Sequence, residues 1–285
     1  MQYDPIKRSL GKVFNKTPKL RILFYKLLDM LLLRAWHIRK DLKKWAKSAP
    51  ANANVLDAGS GFGQYDYYLT KLGKGWTIKG VDVKPEQIDD CNNFFTTIGK
   101  QGQVTFEEAD LTKLDEINAY DLILSVDVME HIEEDEKVFE NFHKAMKTGG
   151  MLLISTPSDQ GGSDTHDHHH EEGATGFIDE HVRDGYDVND ITEKLIKAGF
   201  INIEAGYTYG KLGSLAWRLT MKYPILMLNE TKLFFILLPF YYLLVFPFAL
   251  VLNYMDVNSE HKKGTGLKVT AWKQHPSDTQ KRRVR

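Results

Sequence analysis

Val55-Leu56-Asp57-Ala58-Gly59-Ser60-Gly61-Phe62-Gly63 is the stretch from which the rest of this 285-residue chain can be read. An apolar run ends in an acid, and three glycines follow at alternate positions. Lacking a Cβ, glycine lets the backbone turn sharply and lie close to a ligand. The acid at the strand end can accept hydrogen bonds from a cationic or hydroxyl-bearing ligand. The pattern is that of a strand-to-helix loop in a nucleotide-binding α/β domain. Its spacing differs from the dinucleotide fingerprint G-x-G-x-x-G, whose helix start faces a pyrophosphate. Here the order is G-x-G-x-G followed by Gln64-Tyr65-Asp66, and an acid near the helix start would repel a phosphate.

Four more strands follow in order. Thr77 to Asp82 ends in an acid 19 residues after Gly63, where an acid can accept from both ribose hydroxyls. Val104 to Leu111 reads as a third strand closing on Asp110, and Tyr120 to Asp127 as a near-continuous apolar fourth, as a parallel sheet buried on both faces requires. After Val128-Met129-Glu130-His131-Ile132, a helix is expected to Lys147, capped by Thr148-Gly149-Gly150. Met151 to Pro157 is the fifth strand.

From Val55 to Pro157 this series resembles the motif order of class I S-adenosylmethionine (SAM)-dependent methyltransferases of the small-molecule and quinone type. The resemblance covers about residues 50–210. It implies a Rossmann-like α/β fold with a seven-stranded, mostly parallel sheet and an antiparallel last strand. It also implies SAM as cofactor, held by Asp57, Gly59, Gly61, Gly63, Asp82, Val83, Asp110, Leu111, Ser125 and Asp127. In the family the acid matching Asp110 accepts from the adenine amino group and the next residue packs on the ring. A stretch like Glu180-His181-Val182-Arg183-Asp184-Gly185-Tyr186 also occurs in related small-molecule enzymes. His181 and Arg183 would then face the acceptor, or the segment simply caps the next helix through Asp187.

Composition suits a soluble enzyme with a membrane habit: 42% apolar residues, 12% aromatic and a single cysteine. One cysteine, Cys91, excludes a disulfide framework and fits a reducing cytoplasm. Its place in the helical stretch from Pro85 to about Lys100 suggests a buried structural thiol. The overall net charge of −1 conceals an asymmetry: residues 1–50 carry net +10 and residues 261–285 net +7, leaving −18 between them. Basic ends around an acidic body suit anionic lipid headgroups, or are merely solvated. They do not make a nucleic-acid groove, and the chain lacks the Asn/Asp-Pro-Pro-aromatic motif of DNA and RNA methyltransferases, so no nucleic-acid partner is expected.

Leu233 to Leu252 is 20 residues without a charge, long enough to cross a bilayer. Lys211 to Lys232 precedes it as an amphipathic segment with Trp217 and Tyr223. The helix Val188 to Ala198, with Gly199 as its cap, leads into strand six from Phe200 to Ala205; strand seven follows the apolar segment, from Gly266 to Trp272. In the family strands six and seven pair antiparallel, so a single crossing would separate them. The segment is therefore expected to enter one leaflet, or form a hairpin, and return. The alternative is a cap buried on the protein itself as a lid over the pocket. Thr17-Pro18 begins a helix expected to run to about Lys47, serving a membrane, the pocket, or both.

This divides the chain into a basic helical arm (1–48), a SAM-binding core (49–210), an apolar insertion (211–263), the last core strand (264–275) and a basic tail (276–285). The run from Asp164 to Glu172 mixes histidines with acids and could hold a divalent metal. Flanking glycines favour a solvated lid, so no metal is expected. The expected activity is methyl transfer to the O or N of a lipophilic small molecule, by a cytoplasmic protein resting on an anionic membrane surface. His131 or His181 would serve as base. The alternatives are a soluble enzyme with an apolar lid and a non-catalytic SAM-binding scaffold.

Overall fold

The computed structural model describes residues 17–161, 182–231 and 233–274. Its centre is one seven-stranded sheet in the order β3-β2-β1-β4-β5-β7-β6. The strands are β1 (Asn54–Ala58), β2 (Thr77–Asp82), β3 (Val104–Glu108), β4 (Tyr120–Val126), β5 (Met146–Pro157), β6 (Phe200–Thr208) and β7 (Gly266–Lys273). The first five are parallel; β7 runs antiparallel between β5 and β6. Helices α3 (Gln64–Leu72), α4 (Pro85–Thr97), α5 (Asp135–Ala145) and α6 (Val188–Ala198) make the crossovers. Val55, Ile78, Leu122, Leu124 and Leu153 pack in one apolar layer; Leu56, Val81, Ile123, Leu152 and Ile154 pack in the other. This alternation along single strands shows both faces to be covered, which is why these strands read as unbroken apolar runs.

The arm departs from its expected form. It is two helices, α1 (Pro18–Leu31) and α2 (Leu33–Ala46), separated by an extended Leu32. Beyond the break, the Arg34 backbone N–H donates to the Tyr209 hydroxyl at 2.9 Å, so a long-range contact replaces helix continuity. Thr17 does cap α1, accepting from the Leu20 N–H. The expected helix to Lys147 stops at Ala145, because Met146 pairs with Tyr120 in the sheet, and Thr148-Gly149-Gly150 belong to β5. Strand three ends at Glu108, before Asp110. β6 runs on to Thr208 and carries a bulge near Asn202, whose φ is +50°. Gly199 caps α6 as expected, with φ +100°.

Between β6 and β7 the chain makes a helical hairpin. It leaves through α7 (Lys211–Trp217), a π-helical turn (Arg218–Lys222) and α8 (Tyr223–Glu230), and returns through α9 (Phe234–Val257). The Tyr241 and Tyr242 hydroxyls donate to the Leu219 and Thr220 carbonyls, both at 2.7 Å, fastening the two limbs at the π turn. The cap buried on the protein itself is not found: only 6% of the most apolar 18-residue window of α9 is buried, at a mean hydropathy of 2.4.

The root of the hairpin converges on Asp256, which is fully buried. Its carboxylate accepts from the Gly213 N–H at 3.0 Å and lies 3.1 Å from His37 Nε2 and 3.2 Å from His261 Nε2. Burial alone would raise its pKa; the His37 bond and the two histidines outweigh that and hold it below the usual carboxylate range. Breaking a buried pair strands the remaining polar groups, which costs several kcal/mol. Asp256→Ala should therefore lower unfolding free energy by about 3 kcal/mol in denaturant titration. A change below ~0.5 kcal/mol, as for an ordinary surface position, would contradict this reading of the root.

Candidate active site

The carboxyl ends of β1, β2, β3 and β4 lie side by side, and the loops after them hold the expected cofactor residues. Gly59, Gly61 and Gly63 have φ of +90°, +54° and +76°. A Cβ on Gly59 would sit 2.1 Å from Val128, and one on Gly63 2.9 Å from Phe95, so packing as well as conformation requires glycine. A Cβ on Gly61 would meet only Gln87 Oε1, at 4.0 Å, so the space beside this turn of the loop is open and only its conformation asks for glycine.

Asp82 closes the loop from β2. Its Oδ2 accepts from the Gly61 N–H and its Oδ1 from the Lys84 N–H, both at 3.0 Å, leaving lone pairs for a diol. Val83 follows with an exposed apolar side chain. Asp110 lies just past β3, where Oδ1 takes the Thr112 N–H and hydroxyl. These bonds, with Lys113, hold it at about 2, firmly ionised. Leu111 is buried in the second apolar layer with Leu114 and Val138. Ser125 is buried near the end of β4, its hydroxyl without a protein partner.

Asp57 and Asp66 are both buried, and their carboxyls face one another. The acid near the helix start thus turns inward rather than toward a phosphate. Burial pushes Asp57 up to about 7, and burial plus the Asp57 charge raises Asp66 well above the carboxylate range. One proton between them satisfies a pair that could not both ionise. Asp57 Oδ2, the Ser60 hydroxyl and the Ser125 hydroxyl are buried without protein hydrogen-bond partners. A ligand bearing a cation and hydroxyls fits this donor set. SAM is such a ligand: Asp57 would face its charged end, Asp82 its ribose and Asp110 its base.

A second group of side chains lies against the β4 end. Asp127 has φ +53°, a strained value for a non-glycine residue, and its N–H donates to the Ser155 carbonyl at 2.8 Å. Arg34, from the arm, forms an ion pair with it. Arg34 also lies beside the Tyr65 and Tyr209 hydroxyls and near Glu130. Glu130 is buried and accepts from the Thr156 hydroxyl at 3.1 Å; burial raises its pKa despite the neighbouring His131. His131 closes the short turn Met129–His131. His181 and the run 164–172 lie outside the described residues. Arg183 is tied elsewhere: it pairs with Asp135, donates to the Ile132 carbonyl at 2.6 Å and stacks on Tyr186. Its role is to pin the entry to α6, whose cap is Asp187, accepting from Asn189 and Asp190. Among the described residues no group of three histidine, cysteine or acidic side chains is placed to hold a metal.

Sequence reasoning did not identify Arg34, Tyr65 or Tyr209 as site residues. It also missed the grip of the arm on the glycine loop, where the Phe62 carbonyl accepts from Arg21 Nη2 at 2.7 Å and from the Tyr25 hydroxyl. Cys91 is buried behind this contact, 3.3 Å from Arg21, and burial pushes its thiol up, as expected of a structural cysteine.

The family model described as a methyltransferase domain matches residues 50–199, more than half of the chain. The chain belongs to the methyltransferase-domain family. It is similar to phosphoethanolamine N-methyltransferase 1 of Triticum aestivum, 30% identical over 156 residues, covering 54% of this chain and 30% of the relative. The enzyme of the same name from Zea mays is 33% identical over 152 residues, covering 53% and 28%. The matched region spans under a third of the length of these relatives. Among solved structures, Haemonchus contortus phosphoethanolamine N-methyltransferase 2 in complex with S-adenosyl-L-methionine shares the fold. The TM-score is 0.57 at 20% identity, covering 88% of this chain and 60% of that one. Residues 50–199 thus form a methyltransferase domain on a Rossmann-like core.

The buried acid pair sets a pH dependence. Both folded-state pKa values lie above the unfolded value of about 3.9. The folded state therefore holds protons that the unfolded state releases; this stability is full below about pH 4 and drains as pH rises through about 7. Asp66→Asn keeps the shape and removes one charge. It should raise unfolding stability at pH 8 by ~1–3 kcal/mol and flatten the fall between pH 5 and pH 8. Equal slopes in thermal scans of the two proteins would refute the paired arrangement.

Proposed function

We propose that this methyltransferase transfers the SAM methyl group to an amine-bearing lipophilic small molecule, such as a lipid headgroup, at an anionic membrane surface. The observation that carries the reading is the exposed apolar face of α9. Ile236, Phe240, Leu244, Phe248, Val251 and Tyr254 recur every three or four residues and are each more than half exposed. They form one apolar stripe along a helix about 36 Å long. A soluble monomer rarely leaves such a surface in water.

The hairpin favours lying in one leaflet over crossing the bilayer. Because β6 and β7 pair, both limbs would have to span. The outgoing limb carries Arg218 and Lys222 about 10 and 17 Å from its root, where a crossing would place them in hydrocarbon. In the membrane plane the same side chains reach the headgroups while the α9 stripe meets the acyl chains. Basic residues of the arm and tail supply attraction to anionic lipid, each about 1 kcal/mol near the surface. The protein is then cytoplasmic and monotopic.

Asp57, Glu130 and Asp127 give the site an acidic lining, which suits a cationic sulfonium and an incoming ammonium. The related N-methyltransferases named above act in keeping with a nitrogen acceptor. SAM supplies a methyl group already activated on sulfur, so the protein chiefly aligns the nucleophile and excludes water. The headgroup ammonium first loses a proton, for which His131 beside Glu130 is the base. The freed lone pair then forms the nitrogen–carbon bond as the carbon–sulfur bond breaks, leaving a neutral thioether. Arg34 on Asp127 joins the arm to this acceptor side of the site.

The test is incubation with methyl-labelled SAM and vesicles containing phosphatidylethanolamine, scored by label in the organic phase. The wild-type protein should label lipid, and Asp82→Ala should abolish both label and SAM binding. His131→Gln should lower kcat about 10²–10⁴-fold with SAM affinity unchanged. Label entering only water-soluble phosphoethanolamine would overturn the membrane acceptor and keep the transferase. SAM binding with no transfer to either substrate, or to a total lipid extract, would favour a non-catalytic scaffold.

A further inference from the structure

Outside the glycine loop, the arm and α3 border an open cleft of about 270 Å³ lined by Lys26, Asp29, Met30, Arg39, Tyr68 and Lys71. Its charge is one-sided: three cations face one carboxylate. Asp29 is already engaged, 3.1 Å from Arg39 and accepting from the Gln64 amide at 2.8 Å. The cations are also placed rather than scattered. Arg39 lies 4.3 Å above the Tyr68 ring, and Lys71 3.8 Å above the Tyr67 ring. The aromatic faces position these heads without neutralising them, so Asp29 on Arg39 offsets one of the three charges and Lys26 and Lys71 leave the cleft net positive. Tyr68 is buried, and its hydroxyl has no protein hydrogen-bond partner. The cations repel one another. Burial lowers the Lys71 pKa and, against the pull of Asp29, Lys26 and Arg39 lower it further. An arrangement of like charges around a cavity is relieved by an anion, and a guanidinium beside ammonium groups suits phosphate oxygens.

We infer that Lys26, Arg39 and Lys71 form a phosphate-binding cleft, separate from the cofactor site, that takes a phosphate monoester or diester. The phosphate belongs either to a lipid headgroup or to a small soluble molecule. The volume, just below the range of ligand pockets (about 300–1,000 Å³), admits a phosphate group with its waters but not a large ligand. The basic arm around the cleft raises the local concentration of either source.

Two arms of one experiment separate the sources. The full-length protein is titrated with inorganic phosphate and glycerol 3-phosphate by calorimetry. Separately, it is floated with phosphatidylcholine vesicles containing phosphatidic acid. The variants are Lys26→Gln, Lys71→Gln and the pair combined. The control is Lys43→Gln with Lys44→Gln, which removes two exposed charges from α2 outside the cavity. SAM affinity reports that each variant is folded. Each cation removed from the cleft should weaken binding about fivefold, and the control pair less than twofold. Loss in the calorimeter identifies a soluble phosphate as ligand; loss confined to flotation identifies the lipid headgroup. Equal losses in the cleft and control pairs would reduce the effect to general surface charge and overturn the site. No loss in either arm, with SAM binding intact, would overturn it as well.

Discussion

The Phe62 carbonyl, accepting from both Arg21 and Tyr25, joins the arm to the glycine loop. Arg21 is only 2% exposed, and its other bonds, to Asp90 at 2.5 Å and across the Phe94 ring, leave it no freedom to drift. A buried charge must be paired, so the arm cannot lift from the loop without stranding a guanidinium. With α1 fixed, α2 is fixed, and with α2 so are Arg34 on Asp127 and His37 on Asp256. The glycine loop, the Asp127 turn after β4 and the hairpin root are thereby linked through two short helices.

The site itself accumulates what a stable core avoids. Asp57, Asp66 and Glu130 are buried acids, and Asp127 holds a strained backbone. None of these choices improves packing, and a fold selected only for stability would replace them with apolar residues. Asp57, Glu130 and Asp127 share a position near the carboxyl ends of β1 and β4, where their carboxyl groups suit a ligand that carries positive charge, while Asp66 backs Asp57 from behind. The surroundings of Arg34 and Glu130 are polar as well, with the Tyr65 and Tyr209 hydroxyls beside Arg34 and the Thr156 hydroxyl on Glu130.

Much of this was legible in the chain. Apolar strands ending in Asp57, Asp82 and near Asp110 gave the sheet, because strand ends are where a parallel fold must place its ligand groups. The three glycines were readable because their φ values exclude most other residues. What stayed hidden depended on distance in sequence. Arg34 meets Asp127 and Tyr209 across 93 and 175 positions, and no local pattern marks either contact. The break at Leu32 is equally silent, since Leu32 is an ordinary helix former bent by tertiary contacts. Thr148-Gly149-Gly150 misled because glycine after a helix usually ends it, whereas here Met146 had already joined the sheet. Arg183 misled in another way: its neighbourhood resembles an acceptor contact, yet Asp135 claims it.

The strand order gives the chain an awkward history of assembly. β7 sits between β5 and β6, so until Gly266–Lys273 is synthesised one strand has an open flank and the other has no neighbour in the sheet. The apolar α9 is made before that strand and waits alongside those bare edges. Pairings this remote in sequence close slowly, and unpaired edges beside exposed apolar surface are the usual seeds of aggregation. Completing the sheet therefore waits for the last of its seven strands to be made. Whatever shelters the α9 stripe in the interval, lipid or chaperone, governs how much of the nascent chain reaches the native state.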